Sequence, residues 1–117
     1  MVVVKIEDYG FGKMVVDGVE YRADLIVHND GVLPDWWRKE GHRLAVEDLR
    51  DVIERVNPEV VVVGKGRFGM MKISPEFERF LKERGVELRA ANTGRAVEIF
   101  NELVKSRRVV GAFHLTC

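Results

Sequence analysis

A chain of 117 residues, 46% of them hydrophobic, has the size of one domain (residues 1–117) and enough apolar content for a packed core without crosslinks. Its 19 basic residues balance its 19 acidic ones, and no block concentrates the cations, which argues against a nucleic-acid partner. The single cysteine, Cys117, excludes an internal disulfide and fits a reducing compartment. No apolar run approaches the roughly 18 residues of a membrane span, and Met1-Val2-Val3-Val4-Lys5 lacks the charged start of a signal peptide. The expectation is a cytoplasmic protein with no membrane association.

In chain order, Val2–Ile6 is predicted as a strand and Tyr9-Gly10-Phe11-Gly12 as a glycine-punctuated turn. Lys13–Val16 and Val19–Arg22 flank Asp17-Gly18, a strong hairpin signal. Tyr9 and Phe11 then serve cross-strand packing in this layer. Asp24–His28 is another strand, closed by Asn29-Asp30-Gly31. The stretch Val32–His42 has no clean period and reads as a structured loop or a short helical turn. Both tryptophans stand in it. Trp36, Trp37 and Arg38 either cover one edge of the core or form a protein-interaction surface, since Trp and Arg dominate binding hot spots.

Val46, Leu49, Val52, Ile53 and Val56 fall at helical spacing among charged residues, an amphipathic helix that Asn57-Pro58 ends. The next stretch organises the chain. Four consecutive valines, Val60–Val63, bounded by turn residues, predict a strand buried on both faces, the mark of a parallel sheet. Glycines follow at the strand's carboxyl end, where open α/β sheets usually bind ligands. Ser74-Pro75-Glu76 starts a helix with a cap, a proline at the first position and an acid in the first turn. Phe77, Phe80 and Leu81 are its apolar face and Gly85 its stop. Val86–Ala91 is a strand. Thr93 caps a helix running from about Gly94 to Ser106, and Val109–Leu115 is a last strand. The alternation from Val46 onward predicts a central, mainly parallel sheet with helices against it and Glu59–Val63 at its centre.

Gly64-Lys65-Gly66-Arg67-Phe68-Gly69 matches G-x-G-x-x-G after a strand, but no helix opens within it, as a dinucleotide fingerprint requires. Met70 stands where a P-loop needs lysine. What remains is a tight turn or a looser anion pocket, with Lys65 and Arg67 supplying charge and the backbone supplying N–H groups. Thr93-Gly94-Arg95 opens a helix after another strand, a second anion-friendly feature. If the strands are parallel neighbours, Gly64, Lys65, Gly66, Arg67, Thr93, Gly94 and Arg95 line one crevice. His114 and Cys117 stand three apart, but zinc needs three or four ligands and only His28 and His42 could help. No metal, cofactor or catalytic residue set is assigned. The roles of His114 and Cys117 stay open.

Together, Trp37-Arg38, Gly41-His42, Val62–Gly66, Pro75, Thr93 with Ala96-Val97, Asn101–Val104 and Gly111–Cys117 resemble a family of small single-domain proteins. It includes archaeal and bacterial proteins of unknown function, the human adipogenesis-associated domain protein and a mitochondrial complex I assembly factor. The resemblance covers nearly the whole chain. It implies an α/β, three-layer fold: a central mixed, mainly parallel, five-stranded sheet with helices on one side and helix plus β elements on the other. It implies no catalytic residues. The complex I role belongs to a mitochondrial branch, and this chain shows no transit peptide. The expected function is therefore a non-catalytic protein-interaction or assembly/accessory factor binding another protein. The alternative is a small-molecule or anion-binding protein, or an enzyme, using the crevice.

Overall fold

In a computed structural model, which describes residues 2–117, the chain begins with a three-stranded antiparallel sheet of β1 (Ile6–Gly10), β2 (Lys13–Val16) and β3 (Val19–Tyr21). Asp17 (φ 47°) and Gly18 (φ 81°) make the expected hairpin turn, the left-handed pair that matches strand twist. The predicted first strand is displaced. Val2–Lys5 forms no strand, although Lys5 exchanges hydrogen bonds with Asp17, and the strand starts at Ile6, whose N–H and C=O both bond the Asn101 side chain. Tyr9 and Gly10 thus belong to β1, and only Phe11-Gly12 forms the turn.

The remaining strands are β4 (Leu25–His28), β5 (Gly31–Leu33), β6 (Arg43–Leu44), β7 (Val60–Lys65), β8 (Lys72–Ile73), β9 (Glu87–Ala91) and β10 (Val109–His114). The helices are α1 (Val46–Val56), α2 (Pro75–Glu83) and α3 (Thr93–Leu103). β6 and β8 form a short parallel pair, while the main sheet has the order β5-β4-β10-β7-β9. β7 lies parallel to both β10 and β9, whereas β10–β4 and β4–β5 are antiparallel. The three strands expected to share a sheet do so. The central position differs: β10 holds it, with β7 interior beside it. The β4–β5 hairpin adds antiparallel to the free side of β10, which moves the middle of the sheet one strand over.

The valine run shows why the sheet is sandwiched. Strand side chains alternate between faces, so Val60 and Val62 enter one core cluster and Val61 and Val63 the other. The first cluster holds Ala96, Phe100 and Val104 of the α3 segment with Ile6, Met14 and Val16 of the small sheet. The second holds Leu49, Val52 and Ile53 of α1 with Phe77, Phe80 and Leu81 of α2. Helices on one side, helix plus β elements on the other, make three layers. All four valines are fully buried, each contributing about 1.5–3 kcal/mol of transfer free energy.

The helix ends follow local chemistry. Ser74 Oγ accepts the Phe77 N–H (3.1 Å) and Pro75 opens α2. Asn57, in the left-handed region, stops α1. Thr93, expected as a cap, is instead the first residue of α3, behind Asn92, and it is fully buried. Its hydroxyl is committed elsewhere. The α3 helix ends at Leu103 and turns before Ser106. Among the described residues, no helix is long and apolar enough to cross a membrane.

Candidate functional site

β7 and β10 end side by side, with His114 opposite Lys65. Two loops, one after β1 and one after β7, converge there on residues 115–117. Gly12 N–H donates to Leu115 O (2.9 Å), Arg67 N–H to Thr116 O (2.7 Å) and Met70 N–H to Cys117 O (3.2 Å). From the remaining side the segment after β5 reaches in with Arg38.

Asp24, one residue before β4, anchors this pole. Its Oδ1 accepts the Leu115 N–H at 2.8 Å, and its Oδ2 accepts His114 Nδ1–H at 2.7 Å. Arg38 Nη1 lies 2.8 Å from the same Oδ2. The Nη1 approach is an ion pair without hydrogen-bond alignment; the aligned bonds run from Nε and Nη2 to Gly41 O, at 3.2 and 2.7 Å. Nδ1 carries the ring proton, because the carboxylate only accepts. The 3.1 Å approach of Arg38 Nη2 to Nδ1 is therefore packing between two donors. Burial pushes the Asp24 carboxyl up, but hydrogen bonds from His114 and the Leu115 N–H, with the Arg38 guanidinium beside it, together outweigh it and hold the group below its ordinary value.

His114 Nε2 is left as an acceptor 3.5 Å from Thr116 Oγ1, and the exposed His42 ring stands edge-on, centroids 5.7 Å apart. Carboxylate, imidazole and hydroxyl in that order form a relay in nucleophilic enzymes. Here Oδ2 is shared with Arg38 and the hydroxyl sits at the outer limit of hydrogen bonding. The contacts tie three segments together rather than activate Thr116.

The tryptophan segment divides sharply. Trp36 is 9% exposed and Arg38 8%, while Trp37 between them is 77% exposed. Trp36 N–H donates to Asp24 O (2.7 Å) and its Nε1 to Asp48 O (3.0 Å). The Arg38 guanidinium lies 4.6 Å from the Trp36 ring centroid. Two residues thus fasten the segment inward and present the third. Phe11, Phe68 and Met70 are exposed as well. Each is, or adjoins, a residue bonded to 115–117, so these three side chains lie on the loops of this pole, while Trp37 sits in a segment fastened to Asp24.

The Gly64–Gly69 turn and Thr93 do meet at this end of the sheet. Gly66 N–H donates to Thr93 Oγ1 (2.9 Å), that hydroxyl donates to His114 O (2.6 Å), and Thr93 N–H returns to Gly66 O (3.0 Å). The protein itself fills the space between them. Gly66 has φ 99°, and a Cβ there would stand 2.6 Å from Cys117 O. The N–H groups of Gly66, Arg67, Gly69, Met70 and Met71 all have partners within the chain. Lys65 is half-buried, Arg67 and Gly94 are exposed, and Arg95 pairs with Glu98 at 2.9 Å. What sequence reasoning missed is Asp24. The only signal was a carboxylate before an apolar strand and a histidine inside one.

A family described as "Protein of unknown function (DUF498/DUF598)" matches residues 6–114. The fold is similar to that of the conserved hypothetical protein PH1505 from Pyrococcus horikoshii OT3, at TM-score 0.82 and 26% identity over 97% of this chain and 99% of that one. A protein solved as MT938 is 30% identical with TM-score 0.79, over 97% and 99% of the two chains. A protein from Bordetella parapertussis is 26% identical with TM-score 0.82, over 98% of each chain.

Proposed function

The chain belongs to the DUF498/DUF598 family of proteins of unknown function, and within it we propose a non-catalytic protein that docks another protein through the Trp37 pole. The observation that carries this reading is Trp37 itself, exposed between two buried neighbours that hold its backbone. A rigidly presented, exposed indole has the character of an interface anchor, and Phe11, Phe68 and Met70 are further exposed apolar side chains of the loops that bond residues 115–117. An accessory or assembly role in the cytoplasm goes with that reading, and the lone Cys117 fits such a compartment.

The test is a Trp37→Ala variant. Its stability should stay within about 0.5 kcal/mol of wild type, as for an exposed side chain without buried partners, while specific co-purifying proteins disappear from affinity capture. A partner identified with wild type is then rebound in purified form to both proteins. Retention of every partner by the variant sinks the interface. The anion alternative at Gly64–Arg67 and Thr93–Arg95 has weaker support, because the turn's N–H groups are already bonded. A thermal shift with phosphate, sulfate or small carboxylates that is lost in Arg67→Ala would revive it.

A further inference from the structure

β9 is an outer strand of the main sheet, with β7 on one side and, among the described residues, no strand on the other. Glu87 N–H donates inward to Glu59 O, so alternation along the strand turns the N–H and C=O of Leu88 and Ala90 outward. The strand is five residues long, pairs without a bulge and contains no proline. Bulges and prolines are common edge protections; β9 carries neither, and its charges, Glu87 and Arg89, pair with each other. Beside it, on the α2 face, runs an open groove whose floor includes Met70, Ile73, Leu81, Val86 and Leu88. Its rim carries four cations, Lys65, Lys72, Arg79 and Lys82, against one acid, Glu78. Among the described residues, none of the four has an ion-pair partner. Nearby Arg84 and Arg89, by contrast, are paired with Glu54 and Glu87.

We propose that β9 accepts an extended segment of another protein as a sixth strand, and that this segment is acidic with apolar residues at alternate positions. The free main-chain groups of Leu88 and Ala90 supply the ladder, the groove floor takes every second side chain, and the unpaired cations select the charge. A second copy of this chain fits less well. Antiparallel pairing of two β9 strands about Leu88 would set Glu87 opposite Arg89 favourably. The two-fold axis perpendicular to the sheet would, however, bring both α2 faces to one side and the two cationic grooves next to each other.

This surface shares Met70 with that pole but does not include Trp37, so its test leaves that residue in place. A displayed library of random nine-residue peptides is selected against the wild-type protein, and enriched peptides are synthesised. They should be net acidic, and on binding the amides of Leu88 and Ala90 should gain protection from hydrogen exchange. Lys72→Glu with Lys82→Glu should weaken binding at least tenfold. Ala90→Pro removes only an outward N–H and should abolish binding; if it fails to fold, the charge-reversal pair still decides. Four results would overturn the proposal: no enrichment, enriched peptides that are neutral or basic, protection at another site, or affinity unchanged in the charge-reversal pair. A dimer in sedimentation that Ala90→Pro dissolves would overturn it too, by giving the edge to a second copy.

Discussion

The two ends of the main sheet handle charge in opposite ways. At the end where β7, β9 and β10 begin, Arg107 spans Glu59 and Glu87, all three side chains 38–45% exposed. At the end where β7 and β10 finish, the side chains of Asp24 and Arg38 are 18% and 4% exposed, while Trp37, Phe68 and Met70 face solvent. One pole is ordinary: ions in water, apolar groups inside. The other is inverted. A solvated ion pair contributes roughly 0–1 kcal/mol, whereas a buried one broken on one side leaves an uncompensated charge. The inverted pole therefore trades surface solubility for rigid presentation of its rings.

The sheet joins the two ends, and breaking it should erase the contrast. Val62→Asp puts an unpaired carboxylate into a site with no exposure and should abolish cooperative unfolding; a soluble variant with a sharp melt would contradict the placement of β7 inside the sheet. Next in size, Arg38→Ala should cost about 3–5 kcal/mol in denaturant unfolding, as for a buried pair deprived of one partner. Arg107→Ala should cost under about 1 kcal/mol. Equal losses would remove the distinction between the poles.

The smallest effect is in pH. Asp24 is held below its ordinary value of 3.8 by His114, the Leu115 N–H and Arg38 acting against burial. A depressed carboxyl gives stability that is complete above the unfolded value and lost as the pH falls through the folded one. Below about pH 4, wild type should therefore lose stability more steeply than Asp24→Asn. Parallel acid titrations of both proteins, followed by circular dichroism, check this.

Helix spans and interior strands were legible because their signals are local. Val46–Val56 is a matter of spacing, Ser74-Pro75 of capping, and Val60–Val63 of a run too apolar to face water on either side. The pole was not, because its partners are distant in sequence. Asp24 bonds His114 across 90 positions, and no periodic pattern encodes that. The tryptophan segment was visible as unusual, but its alternation of buried and exposed residues depends on Asp24 and Asp48 receiving Trp36. The glycine turn looked like an anion cradle, since sequence shows donors and cannot show that Thr93, Thr116 and Cys117 consume them. The place of β10 at the centre escaped for a related reason. Which of two apolar strands is middle depends on where β4 pairs.

That central strand has a consequence for synthesis. β10 leaves the ribosome after the other strands and helices described above, yet among the described residues it alone connects β4–β5 to β7–β9. Until Val109–His114 emerges, the nascent chain can hold only two half-sheets with bare inner edges and no joint core between them. Contacts of such long sequence separation make assembly slow, and bare edges invite pairing with other chains. The loops carrying Gly12, Arg67 and Met70 bond residues 115–117, so this pole takes shape only once β10 has emerged, and a partner that recognises it also verifies that translation has passed that strand.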